Sequence, residues 1–85
     1  MKTLVLFKSE ISNGENAKMI TDELMKSDDF FNSVIAPVVG KRIVTRKQMK
    51  KAVDIMENEY KSIMIATAKH SSIIKWGIKF IFINA

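Results

Sequence analysis

Residues 34–44, VIAPVVGKRIV, decide how this chain is put together. Residues 34–39 have strand composition, and Pro37, with no N–H to give a sheet ladder, places them at a sheet edge or in a bulge. Gly40-Lys41 suits a two-residue type II′ turn with glycine at its first central position, so that residues 42–44 return antiparallel. Read this way, the middle of the chain is a β-hairpin.

The flanking sequence supplies a strand and a helix on either side of it. Residues 2–8, KTLVLFK, form an apolar run bounded by lysines, the pattern of a strand largely covered on both faces. In residues 11–16, Ser12 and Glu15 make a capping box, with Asn13-Gly14 competing as a turn. Ala17, Ile20, Leu24 and Met25 then fall at helical spacing up to about Ser27. Ser27-Asp28-Asp29 caps one more turn that carries Phe30 and Phe31 inward, before Asn32-Ser33 turns the chain. After the hairpin, Thr45 and Gln48 form a second capping box. Met49, Val53, Met56, Tyr60, Ile63 and Thr67 continue from it as a helical stripe over residues 46–69. SIMIATAK, residues 62–69, also has strand composition, and both readings stand. Ser71-Ser72 breaks the helix. Ile74, Trp76, Ile78, Phe80 and Phe82 alternate with Lys75, Gly77 and Lys79 along one long final strand.

The resulting order is β-α-β-β-α-β, an α+β fold of the ferredoxin-like, split type: a four-stranded antiparallel sheet with two helices on one face. At 85 residues the chain is one domain. A chain of this length buries only about 60–65% of its unfolded surface, so its stability margin is thin. The final strand would lie at a sheet edge with an apolar end, and the helical stripe is longer than one sheet needs. Both features point to a homodimer. With no cysteine there is neither a disulfide framework nor a thiolate metal site. The apolar run near the start is too short for a signal peptide, and residues 73–85 fall short of a membrane span. The reading is a soluble, cytoplasmic protein without a membrane partner.

Charge is concentrated in one place. Of 14 Lys and Arg residues, six (Lys41, Arg42, Arg46, Lys47, Lys50 and Lys51) fall within residues 41–51, which hold no acid. The remaining eight basic residues face nine acidic ones, a balance of −1, so the formal +5 arises within those eleven positions. Cations in the first turn of a helix oppose its dipole, at roughly 0.3–1 kcal/mol each. The pairs Arg46/Lys50 and Lys47/Lys51 add like-charge repulsion of a few tenths of a kcal/mol. A bound phosphate would reverse the sign of these terms. The six residues are therefore the candidate nucleic-acid-binding site, for RNA or another polyanion. The plain alternatives are a solvated basic face or a docking surface for an acidic protein. Lys2, Lys8, Lys75 and Lys79, read as lying on the open face of the sheet, form a possible secondary basic face. RNA-recognition domains of this topology place aromatics on the central strands of that face, whereas here Phe7 and Trp76 read as core.

No catalytic set is visible. His70 stands alone at a helix C-terminus. The pairs Asp22-Glu23 and Asp28-Asp29 diverge by about 100° on a helix and so make no dyad. No metal-ligand spacing or glycine-rich phosphate loop occurs, and no cofactor is implied. Ferredoxin-like nucleases use an acid at the end of the first strand, where this chain has Lys8 and Ser9.

In length, in its Lys/Ile/Asn/Met-rich composition and in lacking a catalytic set, the chain resembles the small early proteins of T4-like phages that counter host defence. In size and basic charge it is similar to the TifA class, inhibitors of the ToxN endoribonuclease of toxin-antitoxin systems. Small anti-CRISPR proteins share the same character. The resemblance covers the chain as a whole and transfers no site residue. It implies that the basic patch grips RNA while another surface meets a host nuclease or toxin. The expected function is thus non-enzymatic RNA binding that inhibits such a partner. The alternative is a protein-only inhibitor or adaptor whose basic helix docks on an acidic surface.

Overall fold

Alternating apolar residues set the inner face of a three-stranded mixed sheet in the computed structural model, which describes residues 1–7 and 14–84. The elements are β1 (Lys2–Phe7), α1 (Glu15–Met25), α2 (Asp28–Phe30), a π-helical turn (Phe31–Ile35), α3 (Ala36–Val39), α4 (Arg46–Lys69), β2 (Ser72–Lys75) and β3 (Ile78–Ile83). The strand order is β1-β3-β2, with β1 parallel and β2 antiparallel to β3. Leu4, Leu6, Ile78, Phe80 and Phe82 point to one face and are buried. Ile20 and Leu24 of α1, Phe30, Ile35, Val39, and Ala52, Ile63 and Met64 of α4 meet them to complete the core. Each such side chain contributes roughly 1.5–3 kcal/mol on burial.

This is an α+β fold, but not the ferredoxin-like split arrangement, and the difference begins at residues 34–44. Residues 34–39 are helical, and residues 42–44 form no strand. Ser27 caps the start as expected, its Oγ accepting from the Phe30 N–H at 3.1 Å. Asn32-Ser33 does not turn the chain, because α2, the π turn and α3 run on as one helical body from Asp28 to Val39. Two features explain why. Phe30, Ile35 and Val39 are buried at near-helical spacing while Val38 is exposed, so packing overrides the strand composition. The π turn ends at Ile35, two residues before Pro37, which sits in the first turn of α3. There its missing N–H costs little, and the widened turn relieves the clash of its ring with the preceding carbonyls. Gly40 is the C-cap of α3, with φ 105° and its N–H on the Ala36 carbonyl at 2.8 Å, and not the corner of a hairpin.

The final apolar segment divides where one continuous strand was expected. Trp76 (φ 56°) and Gly77 (φ 72°) form the two-residue turn of the β2–β3 hairpin, in which Lys75 pairs with Ile78. Positive φ at both central residues marks a type I′ turn. The turn shifts the phase of the alternation, so Ile73 is half-buried beside Phe80 while Ile74 faces solvent. A tryptophan at positive φ is strained. It is held by its ring, which meets Phe30 edge-on at 5.4 Å, and by its Nε1–H, which donates to Glu59 at 3.2 Å.

With two expected strands absent, β3 lies at the centre of the sheet and not at an edge, so that argument for a homodimer lapses. Among the described residues, the sheet has helices on one face only, and β1 is covered on one side where two were expected. Residues 62–69 are helical, as the longer of the two readings held. The α1 capping box falls partly on Ser12, outside the described residues; α1 begins after Gly14, in the left-handed region, with no side-chain cap.

Candidate nucleic-acid interface

The start of α4 is fixed by one glutamine. Thr45 is extended, and its Oγ1 accepts from the Gln48 N–H at 3.1 Å. The Gln48 Oε1 accepts in return from the N–H groups of Thr45 at 3.0 Å and Val44 at 2.9 Å. Its Nε2–H donates to the Val39 carbonyl at 3.1 Å, the C-terminal end of α3. Gln48 thus closes the short link of residues 40–45 onto the helix start. It keeps Lys41 and Arg42 beside the helix that carries the other four cations.

On α4 the buried residues Ala52, Ile63 and Thr67 define the core side. At about 100° per residue, Lys47, Lys50 and Lys51 project from the opposite side, while Arg46, five turns before buried Met64, lies on the flank. All six cations of residues 41–51 are exposed, and none forms an ion pair among the described residues. Elsewhere the pattern is different. Lys2 and Lys26 meet Glu23, Lys18 meets Asp22, Lys61 meets Glu57 and Lys75 meets Glu59. Neutralisation of Lys50 by Asp54, one turn later, does not occur; Glu57 turns to Lys61 and Glu59 to the β2–β3 hairpin.

The secondary basic face does not assemble. Lys2 and Lys75 both lie in register with buried Ile78, so they point to the helix side of the sheet, where glutamates meet them. Lys79 lies in register with Thr3 and Ile74 on the open side. Lys75 and Lys79 therefore occupy opposite faces, and Lys8 lies outside the described residues. Phe7, read as core, stands half-exposed on the open side, while Trp76 packs against the core as expected.

The helical stripe splits along its length. Ile63 and Thr67 are buried, but Met49 and Val53 are more than half exposed beside the cations. With Phe31, Ile43 and Met56 they line an apolar cleft of about 290 Å³. Hydrophobic periodicity placed these side chains on one helix face but gave no sign that the sheet ends before reaching them. Among the described residues, no three His, Cys, Asp or Glu converge on a metal-sized site, and no helix is long and apolar enough to cross a membrane. His70 is the exposed C-cap of α4.

Fold and site define a small α+β protein with one segregated cationic face. Comparison with protein-family models, with curated proteins and with solved structures returns no match.

Proposed function

We propose that this protein binds RNA, or a polyanion of similar charge density, through Lys41, Arg42, Arg46, Lys47, Lys50 and Lys51, without chemistry of its own. In this reading it is a phage-type counter-defence protein of the host cytoplasm, similar to TifA, that inhibits a nuclease or toxin by RNA-assisted binding. One observation carries it. Six exposed cations, four on the first turns of a capped helix and two in the link before it, are left without ion pairs among the described residues, although five lysines elsewhere find carboxylates. Electrostatic contact with phosphates fixes position and carries no sequence information, so binding is expected to be insensitive to base sequence.

The apolar cleft beside the cations favours a second reading, in which Met49, Val53 and a cationic rim dock directly on an acidic protein surface. Purification at low salt, with and without ribonuclease, separates the two. The RNA reading expects nucleic acid to co-purify, to be stripped by about 1 M salt, and any bound nuclease or toxin to be released by ribonuclease. Protein free of nucleic acid at low salt, with a partner that survives ribonuclease, would leave only the protein-docking reading.

A further inference from the structure

The cleft beside the cations does not end at Met56. A second cleft, of about 400 Å³, shares Met25, Val53 and Met56 with it, so the two join into one groove between α1 and α4. Met49, Val53, Met56 and Tyr60 form its α4 wall, a run of about 16 Å along the helix, and Thr21 and Met25 belong to α1. Met25, Met49 and Val53 are more than half exposed. Three of the chain's six methionines thus stand on one open surface, and flexible, polarisable methionines repack around a guest's side chains. Charge is unbalanced at one end. Arg46 and Lys50 each lie three residues before a groove residue, Met49 and Val53, and so adjoin it on the helix surface. Lys41 and Arg42 lead directly into Ile43, which lines the same end. None of these four cations has an ion pair among the described residues. At the other end Lys18 meets Asp22 and Glu57 meets Lys61.

We infer that this groove takes one amphipathic helix of a partner protein, apolar along a stripe and acidic at the end that meets Arg46 and Lys50. This names the partner element for the protein-docking reading and rests on that reading. Hydrogen bonding selects a helix. The groove walls are themselves helices, whose N–H and C=O groups are used internally, so a guest finds no backbone partner there. An extended peptide would bury unsatisfied backbone groups, and a nucleobase its polar edges, whereas a helix satisfies its own. The groove's length suits about three turns, with apolar side chains at i, i+3 or i+4, and i+7 against Met49, Val53 and Met56. The unpaired cations select an acidic guest over a basic one.

A labelled synthetic peptide of about 18 residues, long enough to form a helix, tests this in the absence of RNA, with leucines at helical spacing and glutamates toward one end. Fluorescence anisotropy is expected to show binding at least tenfold tighter than that of the same peptide with lysine for glutamate, and at least tenfold weaker in Val53→Glu. Ile65→Glu, an exposed position of α4 outside the groove, should leave binding unchanged, with circular dichroism as the check on folding. The methyl NMR signals of Met25, Met49 and Met56 should shift, and those of Met1, Met19 and Met64 should not. No binding at about 1 mM peptide, equal binding of the two peptides, or shifts at the other methionines alone would overturn the inference. A ribonuclease-resistant partner retained by a chain that ignores the acidic peptide would also overturn it, and would leave the protein-docking reading in place.

Discussion

Phe80→Ala is expected to lower stability by about 3–5 kcal/mol, the usual cost of emptying a buried aromatic site. Phe80 is fully buried at the middle of the central strand, in register with Leu4 on one side and Ile73 on the other. An 85-residue domain holds in all roughly 4–13 kcal/mol. The variant therefore loses a large part of its margin, and at the low end of that range folded and unfolded forms are comparably populated at 25 °C. Ile65→Ala, which removes an exposed side chain from α4, is the control and should stay within about 0.5 kcal/mol of the wild type. Urea denaturation followed by circular dichroism reads both, and equal effects of the two substitutions would mean that this core is misassigned.

Changing Arg46, Lys47, Lys50 and Lys51 together to Ala is expected to move two quantities in opposite directions. Stability rises by about 1 kcal/mol, since cations leave the positive end of the helix dipole and two like-charge i,i+4 pairs disappear. In a domain of this size that raises Tm by about 4–8 °C. RNA affinity falls at the same time. A patch that serves only solubility gives the rise in Tm without any loss of binding, and a structural patch gives a fall in Tm. The opposed shifts are the signature of a surface kept against its own stability for the sake of a ligand.

Several of these features were legible in the sequence for local reasons. The Thr45/Gln48 capping box needs only residues three apart, and it forms as expected, with the helix running to Lys69. The charge cluster was legible because unpaired cations stay in water wherever the chain takes them. The middle of the chain was not legible, because valine and isoleucine suit a strand and a packed helix equally once neighbours decide. Ile35 and Val39, four apart, carried the helical signal, and Pro37 masked it. The β2–β3 turn was hidden by Trp76, a residue that turn chemistry does not favour at positive φ and that its contacts with Phe30, Glu59 and Ser27 hold there. The supposed secondary basic face failed for the same reason. Two turn residues between Lys75 and Lys79 place the two lysines on opposite sides of the sheet.

The most direct test of the central claim is the salt dependence of single-stranded RNA binding, measured by fluorescence anisotropy for the wild type and the four-alanine variant. Four to six phosphate contacts give a slope of log K against log salt near −3 to −4, or roughly 60- to 250-fold weaker binding from 50 to 200 mM salt. The account predicts that slope for the wild type and a value near −1 for the folded variant. Absence of binding at low salt, or the same slope in both proteins, would contradict it.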